Sequence, residues 1–366
     1  MKDVALEVLN IIYEYGYEGY IVGGFVRDML LGISSIDVDI TTNATPMELK
    51  NIFPNIDVSI RNYGSVTLIY KNFRFEITTY RMDMDYIDNR HPSSVVYIND
   101  LKTDLMRRDF TINTICMDKE GNIIDLLNGQ DDLDKKIIKT INDSDKSFQD
   151  DALRILRAIR FSTILDFKLS SDVNDAIDRN KHLLKNLSYE RKKHELDRIF
   201  ASSRAKEGIS LIKKFQLESI LELTNLNRIN DYSDIIGIWS MIDTKVYPFT
   251  NSEKELIEKV NTAYKLDNLN SEVLYKYGLY VNVLAGVNKG ISKRDILKKY
   301  DSLPIKERSE ILITAREICD LLKRKPGAFI SKIYLNLEKK ILSFELNNRN
   351  DELKEYIINN YNNGIL

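Results

Sequence analysis

The chain has 366 residues but only two cysteines, six prolines, three histidines and one tryptophan. Cys116 and Cys319 stand some two hundred positions apart, with no C-x-x-C pair and no Cys/His cluster near either. A disulfide scaffold and a zinc site are both excluded on that ground, and a reducing compartment fits. No stretch approaches the roughly 18 uninterrupted apolar residues of a membrane span. The opening MKDVALEVLNII lacks the succession of basic segment, apolar core and small-residue cleavage site that marks a secretory leader. A cytoplasmic protein is expected, with no membrane attachment. Charge of one sign is missing too: 53 Lys and Arg face 55 Asp and Glu, for a formal net charge of -2. Taken in bulk, that balance excludes a large polyanion partner, because wholesale phosphate binding normally shows as a basic chain. The exclusion holds only if the charge is evenly spread.

What is present is enough to fold. With 43% hydrophobic and 30% charged residues, the chain can bury more than one core, and its length suggests roughly two to four domains. Composition changes near residue 140. Before it, β-rich runs such as EGYIVGG, SIDVDIT, SVTLIYKN and FRFEITTYR alternate with helical patterns. That half reads as α+β with a small sheet. After it, 3.6-period patterns follow one another, among them DALRILRAIRFSTIL, ERKKHELDRIF, SEVLYKYGLYVNVL and RSEILITAREICDLL. That half reads as all helix, ending in an Asn-rich final helix with a frayed end. No fixed-period repeat is present, so a regular solenoid is not expected. Charge is uneven as well: Lys146 to Lys206 holds 14 basic residues against 9 acidic ones. A solvated helix face is the ordinary reading of such a run, and contact with phosphate is the sharper one.

The first chemical constellation is YIVGGFVRDMLLG followed by SIDVDITT. Gly23 and Gly24 end an apolar strand and open a helix, which turns bare backbone N–H groups toward any bound anion. Arg27, on the first turn, reaches the same phosphates. Asp37 and Asp39 sit at i and i+2 on the next strand, so both carboxylates face one side about 6–7 Å apart. Ile36, Val38 and Ile40 alternate with them and are expected to face the core. Two hard carboxylates beside a phosphate site describe Mg²⁺ held together with substrate phosphates, as in two-metal in-line displacement. A lone D-x-D is usually an ordinary surface pair, and Asp83/Asp85 and Asp143/Asp145 are decoys that lack the glycine turn upstream.

G-G-x-V-R-D a dozen residues before D-x-D resembles the nucleotidyltransferase superfamily of DNA polymerase β. Within it, the pattern is similar to the class II tRNA nucleotidyltransferases, or CCA-adding enzymes, and their bacterial poly(A) polymerase relatives. Four further blocks follow in the family's order. Tyr80-Arg81 through YIDNRHP resembles its flexible loop, and RRDFTINTI its R-R-D-F-T-x-N-A block. DDALRILRAIRF is similar to its E-D-x-x-R nucleotide-recognition motif, with Asp150 in place of the first Glu, and YERKKHELDRIF resembles its neck helix. The resemblance covers residues 18–205 and implies an α+β fold: a polymerase β-like head with a small mixed sheet over 1–140, then an all-helical half. That half comprises a neck over 141–205, a body over 206–270 and a tRNA-binding tail over 271–366.

The resemblance implies template-independent addition of the 3′-terminal CCA to tRNA from CTP and ATP. It assigns base selection to Asp151 and Arg154, which fall on one helix with Arg157 and Arg160 at every third position. A carboxylate that accepts from an exocyclic amino group and an arginine that donates to the adjacent ring nitrogen suit cytosine and adenine and leave guanine and uracil mispaired. Arg157 and Arg160 would hold the triphosphate, with Arg108 on the sugar or phosphate side and Gly24 and Arg27 at the phosphates. Asp37 and Asp39 would hold two Mg²⁺ ions. The superfamily's third strand carboxylate is expected at Glu76. A poly(A) polymerase, or an enzyme adding only CC or only A, is the near alternative; Asp88 to Arg90 in the loop favours full CCA addition. A non-catalytic RNA-binding protein of the same fold is the distant one. No protein partner is expected. His91, His182 and His194 are scattered, and Trp239 reads as core.

Overall fold

The computed structural model describes residues 1–54, 64–84 and 94–361. The loop residues Asp88, Arg90 and His91, the decoy Asp85, and the last five residues of the Asn-rich end lie outside the described residues. The chain forms two compact units, Met1–Glu222 and Leu223–Leu366.

The first unit begins with α1 (Lys2–Glu14), β1 (Gly19–Val22), α2 (Gly24–Leu30), β2 (Val38–Thr42), α3 (Pro46–Ile52), β3 (Ser65–Tyr70) and β4 (Phe73–Thr79). It continues through a small hairpin, β5 (Arg81–Asp83) and β6 (Val95–Tyr97), to α4 (Leu101–Met106), β7 (Cys116–Met117), β8 (Ile123–Ile124), α5 (Gly129–Asp134) and β9 (Ile137–Ile138). Six of these strands make one mixed sheet in the order β3-β4-β2-β1-β7-β8. β2 runs parallel to β4 and antiparallel to β1. Val38, Ile40, Phe75 and Ile77 are buried on one face of it, and the residues between them face the other way. Ile36 departs from expectation: it is 75% exposed, because β2 begins only at Val38 and in/out alternation lasts only as long as the pairing. Asp37 for the same reason stands just ahead of the strand rather than on it.

The helical continuation consists of α6 (Ser144–Asp150), α7 (Leu153–Leu165), β10 (Lys168–Leu169), α8 (Ser171–Asn180), α9 (Tyr189–Phe200) and α10 (Ala205–Lys214). β10 pairs in parallel with β9, a two-residue element that no helical pattern signals. Asp151 is a second departure. The helix expected to carry Asp151 together with Arg154 does not include it: α6 stops at Asp150, Asp151 is extended at φ -140° and ψ 100°, and α7 starts only at Leu153. The Asp151 carboxylate accepts the Leu153 N–H at 3.0 Å, the short-range side-chain contact that makes Asp a helix starter rather than an interior residue.

The second unit is helical: α11 (Ile235–Met241), α12 (Asn251–Tyr264), α13 (Ser271–Asn288), α14 (Lys293–Asp301), α15 (Ala315–Leu322), α16 (Phe329–Leu342) and α17 (Asn350–Tyr361). Ile296, Ile318, Ile333, Leu337, Leu353 and Ile357 from its last four helices share one core. Trp239 is buried against Tyr247 and Phe249, as expected. The stretch read as one helix from Arg308 to Leu322 is split: Thr314 caps α15 and forms a reciprocal capping box with Glu317. α13 is kinked at Gly278, whose φ of +73° suits glycine. The buried Asn282 side chain donates there to the Gly278 carbonyl at 2.8 Å and the Val273 carbonyl at 3.2 Å, covering acceptors that the kink frees.

Candidate active site

β1 carries the chain into Gly23, whose φ of +79° no β-branched residue could hold comfortably. A Cβ there would lie 3.7 Å from an Arg108 nitrogen, 3.8 Å from Asp39 Oδ2 and 3.9 Å from the Asn113 carbonyl. The glycine thus keeps open a small space between a carboxylate and a guanidinium. α2 starts at Gly24, so Arg27 falls on its first turn, as the sequence indicates. Its guanidinium is buried and donates to Asp28 at 2.8 Å and to Asn113 Oδ1 at 2.6 Å.

On the sheet, the parallel pairing of β2 with β4 sets Asp39 opposite Glu76, so the two carboxylates project from the same face. Both are exposed to a cleft of about 1630 Å³ that Asp37 also lines. Burial beneath the cleft rim raises the Asp39 carboxyl above its ordinary value, and the negative charges of Glu76 and Asp37 raise it further against the pull of Arg108 and Arg157. Such crowding of acids is unfavourable in an empty cleft and favourable around a cation.

Among the described residues no group of three or more His, Cys, Asp or Glu side chains is closed around a metal position. The donor set nevertheless fits Mg²⁺. That ion takes one or two protein carboxylates, keeps waters and draws its remaining ligands from substrate phosphates, unlike a fully protein-caged metal. Asp37 and Asp39 supply such a pair of hard oxygens, with Glu76 at hand and space left beside Gly23.

The opposite wall of the cleft is cationic. Asp109, which sequence reasoning left without a role, is buried and takes the Arg157 Nε–H at 2.8 Å on one oxygen and the Asn113 amide at 2.9 Å on the other. Burial alone would push its carboxyl up; Arg157, Asn113 and Arg154 outweigh that and hold it well below the usual carboxylate range. The same ion pair keeps Arg157 raised in spite of its own burial. A continuous chain of hydrogen bonds therefore runs from Arg27 through Asn113 and Asp109 to Arg157. The signal in the sequence is R-R-D-F-T-I-N itself, since Asp109 and Asn113 are four residues apart and the intervening 3₁₀ turn, Thr111–Asn113, brings their side chains together.

Beside this chain, buried Asp104 accepts from Arg107 at 2.9 Å and Arg108 at 3.3 Å. Arg160 pairs with Glu195 of α9 at 3.1 Å, both nearly inaccessible to solvent. Burial brings the Arg160 guanidinium down to about 10 despite that partner. The Phe161 ring sits amid three guanidinium groups, with Arg160 at 4.4 Å, Arg27 at 5.0 Å and Arg157 at 5.5 Å. Its negative face offsets part of their mutual repulsion.

At the junction of α6 and α7, Arg154 donates to Ser147 Oγ at 2.9 Å and to the Arg107 carbonyl at 2.7 Å. Asp151 is adjacent, its backbone extended as described. All ten candidate residues, Gly24, Arg27, Asp37, Asp39, Glu76, Arg108, Asp151, Arg154, Arg157 and Arg160, line the one cleft. Of the decoys, Asp143 caps α6 and Asp145 is bound by Arg179, whereas Asp83 pairs with Arg81 at 3.1 Å and lines the same cleft. The His182 ring meets the Arg179 carbonyl at 3.1 Å. Arg191 and Arg198 of α9 also line the cleft and were not singled out by sequence, where they look like ordinary members of a basic helix.

Comparison with known proteins agrees over nearly the full length. Residues 19–139 match the family described as Poly A polymerase head domain, and residues 244–357 match tRNA nucleotidyltransferase domain 2. A CCA-adding enzyme of Lactococcus lactis subsp. cremoris (strain SK11) is 36% identical over 94% of this chain and 93% of its own. One from Ligilactobacillus salivarius (strain UCC118) is 34% identical over 92% and 91%. Among solved structures, the Bacillus stearothermophilus CCA-adding enzyme in complex with CTP superposes with a TM-score of 0.81 at 25% identity, covering 97% of this chain and 96% of that one.

Proposed function

Because the chain belongs to the family of CCA-adding enzymes, the class II tRNA nucleotidyltransferases, we propose that the cleft described above is where CTP and ATP are joined to the 3′ end of tRNA. The enzyme is a CTP/ATP:tRNA nucleotidyltransferase, and its chemistry is attack of an RNA 3′-hydroxyl on the α-phosphorus of a nucleotide, with pyrophosphate leaving in line. Asp37 and Asp39, with Glu76 beside them, would hold two Mg²⁺ ions, which when bound favour the ionised hydroxyl and neutralise the triphosphate. Gly24, Arg27 and Arg108 position phosphates at the start of α2. Arg157 and Arg160 bind the triphosphate from the opposite wall, each kept in place by a buried carboxylate. Asp151 accepts from the exocyclic amine of cytosine or adenine, and Arg154 donates to the ring nitrogen next to it. The break between α6 and α7 supports that role, since it leaves Asp151 outside the helical ladder and beside Arg154. Residues 1–140 serve as catalytic head and 141–205 as the neck that carries base recognition. The helices of 206–270 and 271–366 grip the acceptor arm by shape and backbone.

The observation that carries this reading is the convergence of Asp37, Asp39, its register partner Glu76 and seven phosphate- or base-directed groups on one cleft. The test is a tRNA transcript lacking its CCA end, incubated with Mg²⁺ and CTP, ATP or both. Three added nucleotides are expected with both. A long ladder would indicate poly(A) synthesis, one or two residues a partial enzyme, and no extension would overturn the assignment.

A further inference from the structure

The cationic wall of the cleft is largely neutralised from within. Arg27 is held by Asp28, Arg107 and Arg108 by Asp104, Arg157 by Asp109 and Arg160 by Glu195. Arg191 and Arg198 differ: both line the cleft, and neither has a carboxylate partner among the described residues. Arg198 is exposed and Arg191 half-buried.

Their placement follows from helix geometry. Glu195, which reaches into the wall to meet Arg160, lies four residues after Arg191 and three before Arg198. These are the spacings at which side chains share a helix face. The stripe Arg191-Glu195-Arg198 therefore turns toward α7, and because Glu195 is taken up by Arg160, two uncompensated guanidinium groups flank the pair. Seven residues separate them, a rise of about 10.5 Å along the axis. That spacing suits a ligand with phosphates in series.

We propose that Arg191 and Arg198 form a phosphate subsite on α9, apart from the ion-paired arginines of the wall, that binds successive phosphate groups of the polynucleotide entering the cleft. A guanidinium free of a protein carboxylate offers its whole fork of donors to phosphate oxygens, and such contacts dominate nucleic-acid affinity. The inference rests on the nucleotidyl-transfer reading of the same cleft. The two phosphate sources at hand are the RNA backbone and the nucleotide triphosphate.

The test compares full-length wild-type protein with R191Q, R198Q, the double variant and the charge-retaining R191K/R198K. Two quantities are read: affinity for a tRNA transcript lacking CCA at several salt concentrations, and KM for CTP at saturating RNA. In the double Gln variant the RNA affinity should fall about tenfold or more, and the slope of log affinity against log salt should flatten by roughly 1.4, about 0.7 for each lost contact to a single strand. The Lys pair should recover most of that slope. A rise in KM for CTP with RNA binding unchanged would place the nucleotide triphosphate there instead and overturn the assignment to the polynucleotide. Wild-type values for both quantities in the double variant would overturn it. R198Q alone removes an exposed, unpaired group, so it reads the same slope should the double variant not fold. Three-nucleotide extension by the wild type, run in parallel, separates failure of the subsite from failure of the functional assignment.

Discussion

Asp39 and Glu76 are register partners across the parallel β2–β4 pair, and the charge of Glu76 is, after burial itself, the largest influence that raises the Asp39 carboxyl. The relationship links strand pairing directly to cation binding, because a site that strains its own carboxylates when empty gains most from a divalent ion.

Asp37→Ala and Asp39→Asn should each nearly abolish nucleotide incorporation while the affinity for tRNA remains within about twofold. Glu76→Gln should instead raise the Mg²⁺ concentration needed for half-maximal rate. Single-turnover extension alongside filter binding distinguishes these outcomes, and equal loss of binding and chemistry in Asp39→Asn would remove the metal assignment.

The acid limb of the rate profile follows from the same carboxylate. The Asp39 carboxyl is raised above its ordinary value by burial and by the charge of Glu76 and must be ionised to take a cation, so activity should begin to fall at a higher pH than an unperturbed carboxylate would dictate. More Mg²⁺ competes with the proton and should move the limb to lower pH. Glu76→Gln removes one cause of the shift and should move it the same way at fixed occupancy. An acid limb indifferent to both changes would detach it from Asp39.

Asp109 has the opposite sign. Its carboxyl is held down in the folded state, so its contribution to stability is complete above the unfolded Asp value and is lost as pH falls through the depressed one. Asp109→Asn should cost about 2–4 kcal/mol at neutral pH, toward the lower end for breaking a buried pair because Arg157 keeps part of its surface wet. Urea titrations at neutral and acid pH check this: the gap between wild type and variant should narrow in acid.

Glu195→Gln should destabilise by about 3–5 kcal/mol, since it leaves Arg160 buried without a countercharge. The paired replacement Arg160→Met with Glu195→Leu should recover most of that stability and still show a raised KM for CTP. A double variant with wild-type KM would confine Arg160 to a structural role.

Arg154→Ala should relax the preference for C and A over G and U, measured by incorporation of each nucleotide separately. Truncation also removes the bonds to Ser147 and the Arg107 carbonyl, so Arg154→Lys is the useful companion. It retains charge but not the planar fork, and should restore folding more fully than selectivity.

Much of this was legible in the sequence because the relevant rules are local. A strand ending in Gly23-Gly24 must turn, and Val38 and Ile40 had to be buried if Asp39 was to be presented. Alternation misjudged Ile36 because nothing in the residues marks where pairing with β4 begins. Periodicity likewise placed Asp151 within the helix of Arg154, since Asp151 ends one helix and starts the next through its own side chain, an event that leaves the apolar pattern undisturbed. The roles of Asp109, Asn113 and Glu195 depend on partners 35 to 86 residues away, and such pairings are invisible to spacing. Bulk charge misled for a related reason: it sums the arginines of the wall with the acids that pair them and with Asp37, Asp39 and Glu76 across the cleft, so a near-neutral total conceals a cleft with one cationic and one acidic side.

The β2–β4 register also says how this gene tolerates change. Substituting Phe75 by another large apolar residue leaves Glu76 where it is. Losing one codon within Phe73–Phe75, in frame, shifts the strand by a single place, turning Glu76 inward and Ile77 outward at once. The length of β4 therefore matters more to the carboxylate site than the identity of most residues that compose it.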